Sequence, residues 1–428
     1  MLAVHLMQTS YLAIKKKVAS FYRLILRRQV PHTVVSWRFF RPGQSPAVKM
    51  HRAVFLQAWE QLPRWAWCLI FLYSQGLWVG FFSWEKTIAA LRRYAGETQR
   101  QYHLSVARQT LDLLALSLFH SIPPRFYYTF GLYRQPRARW LDYVYNHELP
   151  HWHTAMNGHA DLSSAHRLLS DKYAFAQEMS QAGIPAVRPI AFFQKGDQVG
   201  AEKIFIGQSF YCKPNTGNQG RGCFELLYDR ATQDYRVLGD EVIAGEAAVL
   251  SYVQQQVMDR DYLVQPLLLN HPKIRRICRQ SRLATVRLIT GHNGRESECI
   301  GAVLEMPRPD APKGWWLVQV DCHSGELLPH GRYGLPSLDK PEDRPPEVAG
   351  QVLPCWEDVL DLCRRAHERL AAVAAVGWDV AITSTGAVLI EGNFNWATAP
   401  LQFLSGVPLL ETGLLQIYAS RLWPGGLV

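Results

Sequence analysis

Two short apolar runs near the end of the chain, residues 380–382 and 388–390, flank the turn-forming stretch Thr383-Ser384-Thr385-Gly386. Runs of strand length on either side of such a turn predict an antiparallel hairpin. Asp379 opens the first run, while Glu391 and Asn393 close the second, two apart and therefore on one face of a strand. Upstream, Phe210-Tyr211-Cys212 and Tyr262-Leu263-Val264 read as strands that end in Lys213-Pro214 and Gln265-Pro266. Residues 281–290 read as another strand, with Arg287 set inside its apolar run. Helical signals mark 173–181, opened by Ser170-Asp171-Lys172 and stopped by Gly183 and Pro185. A second amphipathic helix is predicted over 357–376, with Leu362, Ala366, Leu370 and Val373 on one face, expected to lie under the hairpin.

Strands and helices alternate from about residue 168 onward, which predicts an α+β or α/β domain. Earlier residues lack that alternation. A partly helical leader over 1–60, an apolar segment over 65–84 and a helix over 104–119 lead into an aromatic-rich bridge at 125–152. The expected division is therefore 1–150, helical, basic and aromatic-rich, followed by a domain over 151–428. Charge sharpens the division. Residues 1–150 hold 20 Lys/Arg against 6 Asp/Glu, and residues 151–428 hold 26 against 30. The whole-chain charge of +10 thus belongs to the first part, and it points to a local anionic partner such as an anionic membrane surface or a lipid-linked glycan. Nucleic acid is disfavoured as a partner.

The 65–84 segment has no charged residue and just reaches the ~20 residues needed to span a bilayer. Ser74, Gln75 and Gly76 interrupt its centre. Eleven Lys/Arg precede residue 65 and would hold the N-terminus on the cytoplasmic side, so a single span would carry the later domain outside. A buried helix is the leading expectation, with an interfacial helix and a span as the other two readings. The eight cysteines form no CxxC pair and no zinc spacing; several sit in apolar strands as small hydrophobes, which suits a reducing cytoplasm where disulfides are rare.

Candidate chemistry gathers in the second part. Asp379, Glu391 and Asn393 would bring three oxygen donors to one end of a sheet, the ligand type that holds Mg²⁺ against substrate phosphates; acids capping a surface hairpin give the same pattern. Lys213 runs directly into Asn215-Thr216-Gly217-Asn218-Gln219-Gly220-Arg221-Gly222. A loop of that kind can close backbone N–H groups over a triphosphate while the lysine neutralises its charge. The spacing matches neither GxxxxGK[ST] nor GxGxxG. An unpartnered guanidinium at Arg287 would be costly in an apolar strand, so it needs a carboxylate or a ligand. Arg275, Arg276, Arg279 and Arg282 read as a solvated basic face. His151, His153, His159 and His166 lack a matching ligand set, and no nucleophile triad stands out.

In that order the segments DK, KP with its glycine loop, VQP, TVR, GWD and ExN resemble the ATP-grasp superfamily, most closely its sugar-transfer-associated branch, related to α-L-glutamate ligases. The resemblance covers about 168–410. It implies the ATP-grasp fold, two α+β subdomains clamping ATP, and an ATP- and Mg²⁺-dependent carboxylate–amine ligase that works through an acyl phosphate. It implies that Lys172 and Lys213 contact the α- and β-phosphates, and that Gly217, Gly220 and Gly222 close over ATP. Gln265 would pass the adenine, Arg287 would meet the terminal or acyl phosphate, and Asp379, Glu391 and Asn393 would bind Mg²⁺. Small-molecule carboxylate and amine substrates follow, with an amino acid joined to a cell-envelope polysaccharide or its precursor. The implied location is cytoplasmic, peripheral at the inner membrane. The branch usually has Asn where this chain has Ala284, and its Asp-Asn and Gly-Gly pattern is reduced to Asp310 and Gly314. Both departures fall on the acceptor side. A non-catalytic ATP-binding scaffold and a small-molecule kinase are the alternatives.

Overall fold

The computed structural model describes residues 29–60, 62–158, 160–199, 207–217, 220–237, 242–308, 314–329 and 347–423. Lys15, Lys16, Lys17, Arg23, Arg27 and Arg28 of the basic leader lie outside the described residues, as do His159, Asn218, Gln219, Asp310 and the proline-rich loop 339–346. The chain forms two compact units. One takes the described residues of Met1–Gly158 and Ala397–Val428, the other those of His159–His330 and Pro345–Trp396. The helix Leu414–Leu422 thus joins the first unit, whereas the sequence assigns everything after 150 to one domain. Its buried Tyr418 meets the ring of Trp152 there, 6.3 Å between centroids.

The first unit is helical throughout its described residues. Its core is aromatic, built on Phe126, Tyr127, Tyr128, Phe130, Trp140, Tyr143 and Tyr145. Polar groups inside it are satisfied: the Tyr127 hydroxyl donates to Asp112 at 2.9 Å, and His51 meets Glu148 at 3.1 Å with both side chains buried. One continuous helical run extends from Arg64 to Tyr102, 39 residues with π turns at Trp78–Phe82 and Leu91–Ala95. It overturns the expectation of a buried helix. The stretch Arg64–Leu77 buries no residue at all, and Trp65, Leu69 and Leu72 are 70%, 62% and 66% exposed. Residues 65–84 of the run carry no charge, and the residues it buries, among them Trp78, Ser83, Thr87 and Ala90, begin only at Trp78. Its length and composition suffice to cross a membrane, and 11% of its apolar window is buried.

The second unit carries both sheets. Strands β1 (Ala191–Gln194), β2 (Asp197–Val199), β3 (Phe210–Pro214), β4 (Phe224–Tyr228), β5 (Asp234–Arg236), β6 (Val242–Ala244) and β7 (Tyr262–Pro266) form one sheet, in the order β2-β1-β7-β3-β4-β5-β6. Strands β8 (Thr285–His292), β9 (Ser297–Pro307), β10 (Trp315–Val320), β11 (Ala375–Thr383) and β12 (Gly386–Asn393) form the other, in the order β10-β9-β8-β11-β12. All of these pairings are antiparallel. The helix Trp356–Glu368 packs on the second sheet and buries Val359, Leu362 and Ala366 against it. It is shorter than the 357–376 read from periodicity. Leu370 and Val373 are buried from a turn that happens to stay in step with the helix, and β11 begins at Ala375.

The cysteine expectation also needs correction, because Cys299 and Cys322 form a disulfide. Val320 at the end of β10 pairs with Ala302 of β9, so the antiparallel register carries Cys322 to Cys299. Spacing along the chain gives no sign of this.

Candidate functional site

The hairpin of β11 and β12 forms as the sequence predicts, and its register decides which side chains meet. Asp379 pairs with Glu391 and Gly377 with Asn393, with a bulge immediately after Asp379. On its other side Asp379 pairs with Arg287 of β8. Cross-strand partners share a face, so Glu391, Asp379 and Arg287 form one row across three strands. Glu305 of β9 pairs with Thr285 and lies diagonally from Arg287 on that face. The row is tightly charged. Arg287 Nη2 donates to Asp379 Oδ2 at 3.1 Å, Arg287 Nε approaches Oδ1 at 2.6 Å, and Glu305 lies 3.8 Å from Nε. Asn393 Nδ2 donates weakly to Glu391 Oε1 at 3.5 Å.

Lys172 reaches this row from the first turn of the helix Lys172–Gln181. Asp171 caps that helix by accepting from the Ala174 N–H. Lys172 N–H donates to the Asn215 carbonyl, and Tyr173 N–H donates to Asn215 Oδ1. The helix start is thereby stitched to the segment that follows β3. Helix N-termini do not favour cations, so Lys172 looks outward for partners. Its Nζ donates to the Gly217 carbonyl at 2.7 Å and lies 3.8 Å from Glu391.

Lys213 sits near the end of β3, 5% exposed. Burial pulls its pKa down from the ordinary lysine value, opposed by Glu391 and reinforced by the nearby Lys172 charge. In the following loop Gly217, Gly220 and Gly222 all have positive φ, +116°, +62° and +81°. Gly222 is also sterically fixed: a Cβ there would come 2.8 Å from the Tyr262 hydroxyl, which donates to the Gly222 carbonyl.

Electrostatics reflect the crowding. Burial raises the Asp379 carboxyl well above the ordinary carboxylate range; Arg287 opposes that, while Glu391 and Glu305 add to it. Glu305 is raised as well, first by burial, with Arg287 pulling it down. Burial works against the Arg287 charge, but Asp379, Glu305 and Glu391 outweigh it and hold its pKa high. Among the described residues no group of three His, Cys, Asp or Glu side chains is placed to hold a metal ion. Asp379, Glu391 and the neutral Asn393 amide make an open oxygen set, the kind in which Mg²⁺ keeps room for water and phosphate oxygens.

Nine of the ten residues singled out from the sequence therefore lie in this row or its bordering loop. Gln265 is apart in role: it is buried on β7, and its Nε2 donates to the Val187 carbonyl at 3.1 Å. Glu305 was missed. Its signal was available, an acid inside the apolar run Val303-Leu304-Glu305-Met306, which is the reasoning that picked out Arg287.

A family model described as sugar-transfer associated ATP-grasp matches residues 146–416, well over half of the chain. No curated protein matches it. Among solved structures, the D-alanine–D-alanine ligase of Helicobacter pylori aligns at 11% identity over 59% of each chain, with a TM-score of 0.36. This chain thus spans about three fifths of that enzyme's length. The D-alanine–D-alanine ligase of Bacillus anthracis complexed with ATP aligns at 10% identity, over 60% of this chain and 67% of that one, with a TM-score of 0.35. A RimK domain ATP-grasp protein from Sphaerobacter thermophilus aligns at 16% identity, over 60% and 70%, with a TM-score of 0.33. Likenesses that distant say nothing of this chain's chemistry.

Proposed function

The chain belongs to the sugar-transfer associated ATP-grasp family, and from that premise we propose that it is an ATP-dependent carboxylate–amine ligase. A substrate carboxylate oxygen attacks the γ-phosphorus of ATP, the bond to the ADP oxygen breaks, and an acyl phosphate forms. An amine then attacks the acyl carbon, phosphate leaves, and an amide remains. This chemistry calls for positioning and charge neutralisation more than for a covalent nucleophile. The observation that carries the reading is the convergence of Lys172, Lys213 and Arg287 on one row of carboxylates beside a glycine loop.

In this reading Lys172 and Lys213 neutralise the α- and β-phosphates, and backbone N–H groups at Gly217, Gly220 and Gly222 cover the triphosphate. Arg287 stabilises the charge on the transferred phosphoryl group, and Gln265 lies where the chain passes the adenine. Asp379, Glu391 and Asn393 would hold Mg²⁺, which would supply charge neutralisation for the phosphoryl transfer. For substrates we propose an amino acid and a cell-envelope polysaccharide or its precursor, an assignment that rests on the family's association with sugar transfer. The reaction is assigned to the cytoplasmic side, where ATP is available, with the basic leader holding the enzyme near an anionic lipid or lipid-linked glycan.

The test is to incubate purified protein with ATP, Mg²⁺ and pooled amino acids, with and without envelope glycan extract. Phosphate release that depends on both substrates, together with an amide-bearing product, is the expected result. A phosphorylated product without amide makes the protein a kinase, and ATP binding without turnover makes it a scaffold.

A further inference from the structure

The long helix Arg64–Tyr102 presents one continuous stripe to solvent. Trp65, Leu69, Leu72, Val79, Trp84 and Ile88 are all between 47% and 70% exposed. Their steps are four, three, seven, five and four residues. The five-residue step falls on the π turn Trp78–Phe82, whose wider turn keeps Val79 and Trp84 on one side. The opposite side is held by protein: Trp78 Nε1 donates to the Ser117 carbonyl, and Gln75 accepts from Ser121. Beyond Ile88 the same stripe turns basic, with Arg92, Arg93 and Arg100 exposed, and Arg64 begins it. Glu85 is the one exposed acid between Trp65 and Ile88.

We propose that this stripe docks on an anionic phospholipid bilayer, lying in the interface instead of crossing it. An apolar patch this long is uncommon on a free monomer and marks an interaction surface. Its chemistry selects lipid. Tryptophans near both ends suit the headgroup level, where an amphipathic ring is half wet. The flanking arginines complement anionic headgroups, and residues 29–120 hold 10 Lys/Arg against 4 Asp/Glu. A span is disfavoured because Trp78, Ser83, Thr87 and Ala90 are buried against protein on the other side. A helix with one face on its own domain and the other apolar lies in the plane of the membrane. The inference does not rest on the ligase reading.

The test is flotation of the full-length protein with phosphatidylcholine vesicles, with and without phosphatidylglycerol. Wild type should float with the anionic vesicles. A Leu69→Ser, Leu72→Ser, Trp84→Ser, Ile88→Ser variant should float at least about tenfold less, with its melting midpoint and ATP binding unchanged because all four sites face solvent. An Arg92→Gln, Arg93→Gln, Arg100→Gln variant should float less with anionic vesicles than wild type and about equally with neutral ones. Wild-type flotation by the fourfold variant overturns the proposal, and if flotation is then lost on replacing Lys15, Lys16, Lys17, Arg23, Arg27 and Arg28 with Gln, the leader alone binds. Resistance to alkaline carbonate extraction overturns it in favour of a span. A wild-type dimer that binds no vesicle, and that the fourfold variant dissociates, gives the stripe to a second copy of the chain.

Discussion

Replacing Arg287 with Met keeps most of the side-chain stem and removes its charge, leaving Asp379 against Glu391 and Glu305 without its closest cation. Taking one partner from a buried ion pair costs about 3–5 kcal/mol, because the other charge stays desolvated and unpaired. Here the Arg287 side chain keeps 26% exposure and Asp379 14%, so water screens part of the loss and ~2–4 kcal/mol is expected. For a unit of this size each kcal/mol moves the midpoint by about 2–4 °C, giving a fall of roughly 4–16 °C. The deficit should depend on pH. The Asp379 carboxyl is already raised by burial, with Arg287 opposing, so without Arg287 it rises further. A raised acid contributes stability that is present below its unfolded pKa, about 3.9, and lost as pH rises through the folded value. Arg287→Met should therefore come closest to wild type at acid pH and fall progressively behind it as pH rises through the folded Asp379 value. Thermal and urea unfolding over that range, on the single variant and on Arg287→Met with Asp379→Asn, measures the effect. The double variant should recover most of the loss at high pH. A flat pH profile, or penalties that simply add, would refute the idea that this pair locks the row.

Glu391→Ala and Asn393→Ala should each abolish Mg²⁺-dependent phosphate release while circular dichroism and melting stay near wild type, since both lie at the open end of β12. Lys213→Ala should weaken ATP binding by ~1.5–3 kcal/mol, the loss of a charge-assisted hydrogen bond, read by calorimetry. Because burial depresses the Lys213 pKa, wild-type ATP affinity should begin to fall at a lower alkaline pH than an ordinary lysine would give; unchanged affinity up to the ordinary lysine range would argue against contact. Gly222→Ala should destabilise the second unit by ~1–3 kcal/mol, from positive φ and the approach to the Tyr262 hydroxyl, and adding Tyr262→Phe should relieve the steric part and leave the cost of the positive φ. Chelation of divalent metal should weaken ATP binding, with Glu391→Gln narrowing the difference between metal-free and Mg²⁺-loaded affinity.

How much of this was legible follows from what one-dimensional patterns carry. The β11–β12 hairpin was readable because alternation and turn chemistry are local, and so were the acids at its end. Arg287 was readable as a charge that must find a partner, but the identity of that partner depends on Asp379 pairing with Arg287 across β8 and β11. Those residues are 92 apart in sequence. Glu305 and the Cys299–Cys322 pair depend on register in the same way. The exposure of Leu69 and Leu72 was illegible for another reason. Periodicity reports which residues are apolar and not whether the fold supplies anything to cover them, and a stripe with no partner among the described residues reads the same as a core helix.

The metal prediction follows from counting the charges that the folded row brings together. Lys172, Lys213 and Arg287 stand against Glu305, Asp379 and Glu391, three positive groups against three acidic ones. Such a cluster is near balance before any ligand arrives, and Lys172 and Arg287 already have carboxylate neighbours. A triphosphate added to it alone would repel Asp379 and Glu391 while competing with them for the same lysines and arginine. Burial raises the Asp379 and Glu305 carboxyls, and the neighbouring Glu391 adds to both shifts. If Asp379 and Glu391 held a divalent cation, as proposed, its charge would restore the balance and leave Arg287 and the lysines to face the nucleotide. Removing one of the acids lowers the same repulsion by another route. That is why Glu391→Gln should bind ATP better without metal and still fail to turn it over.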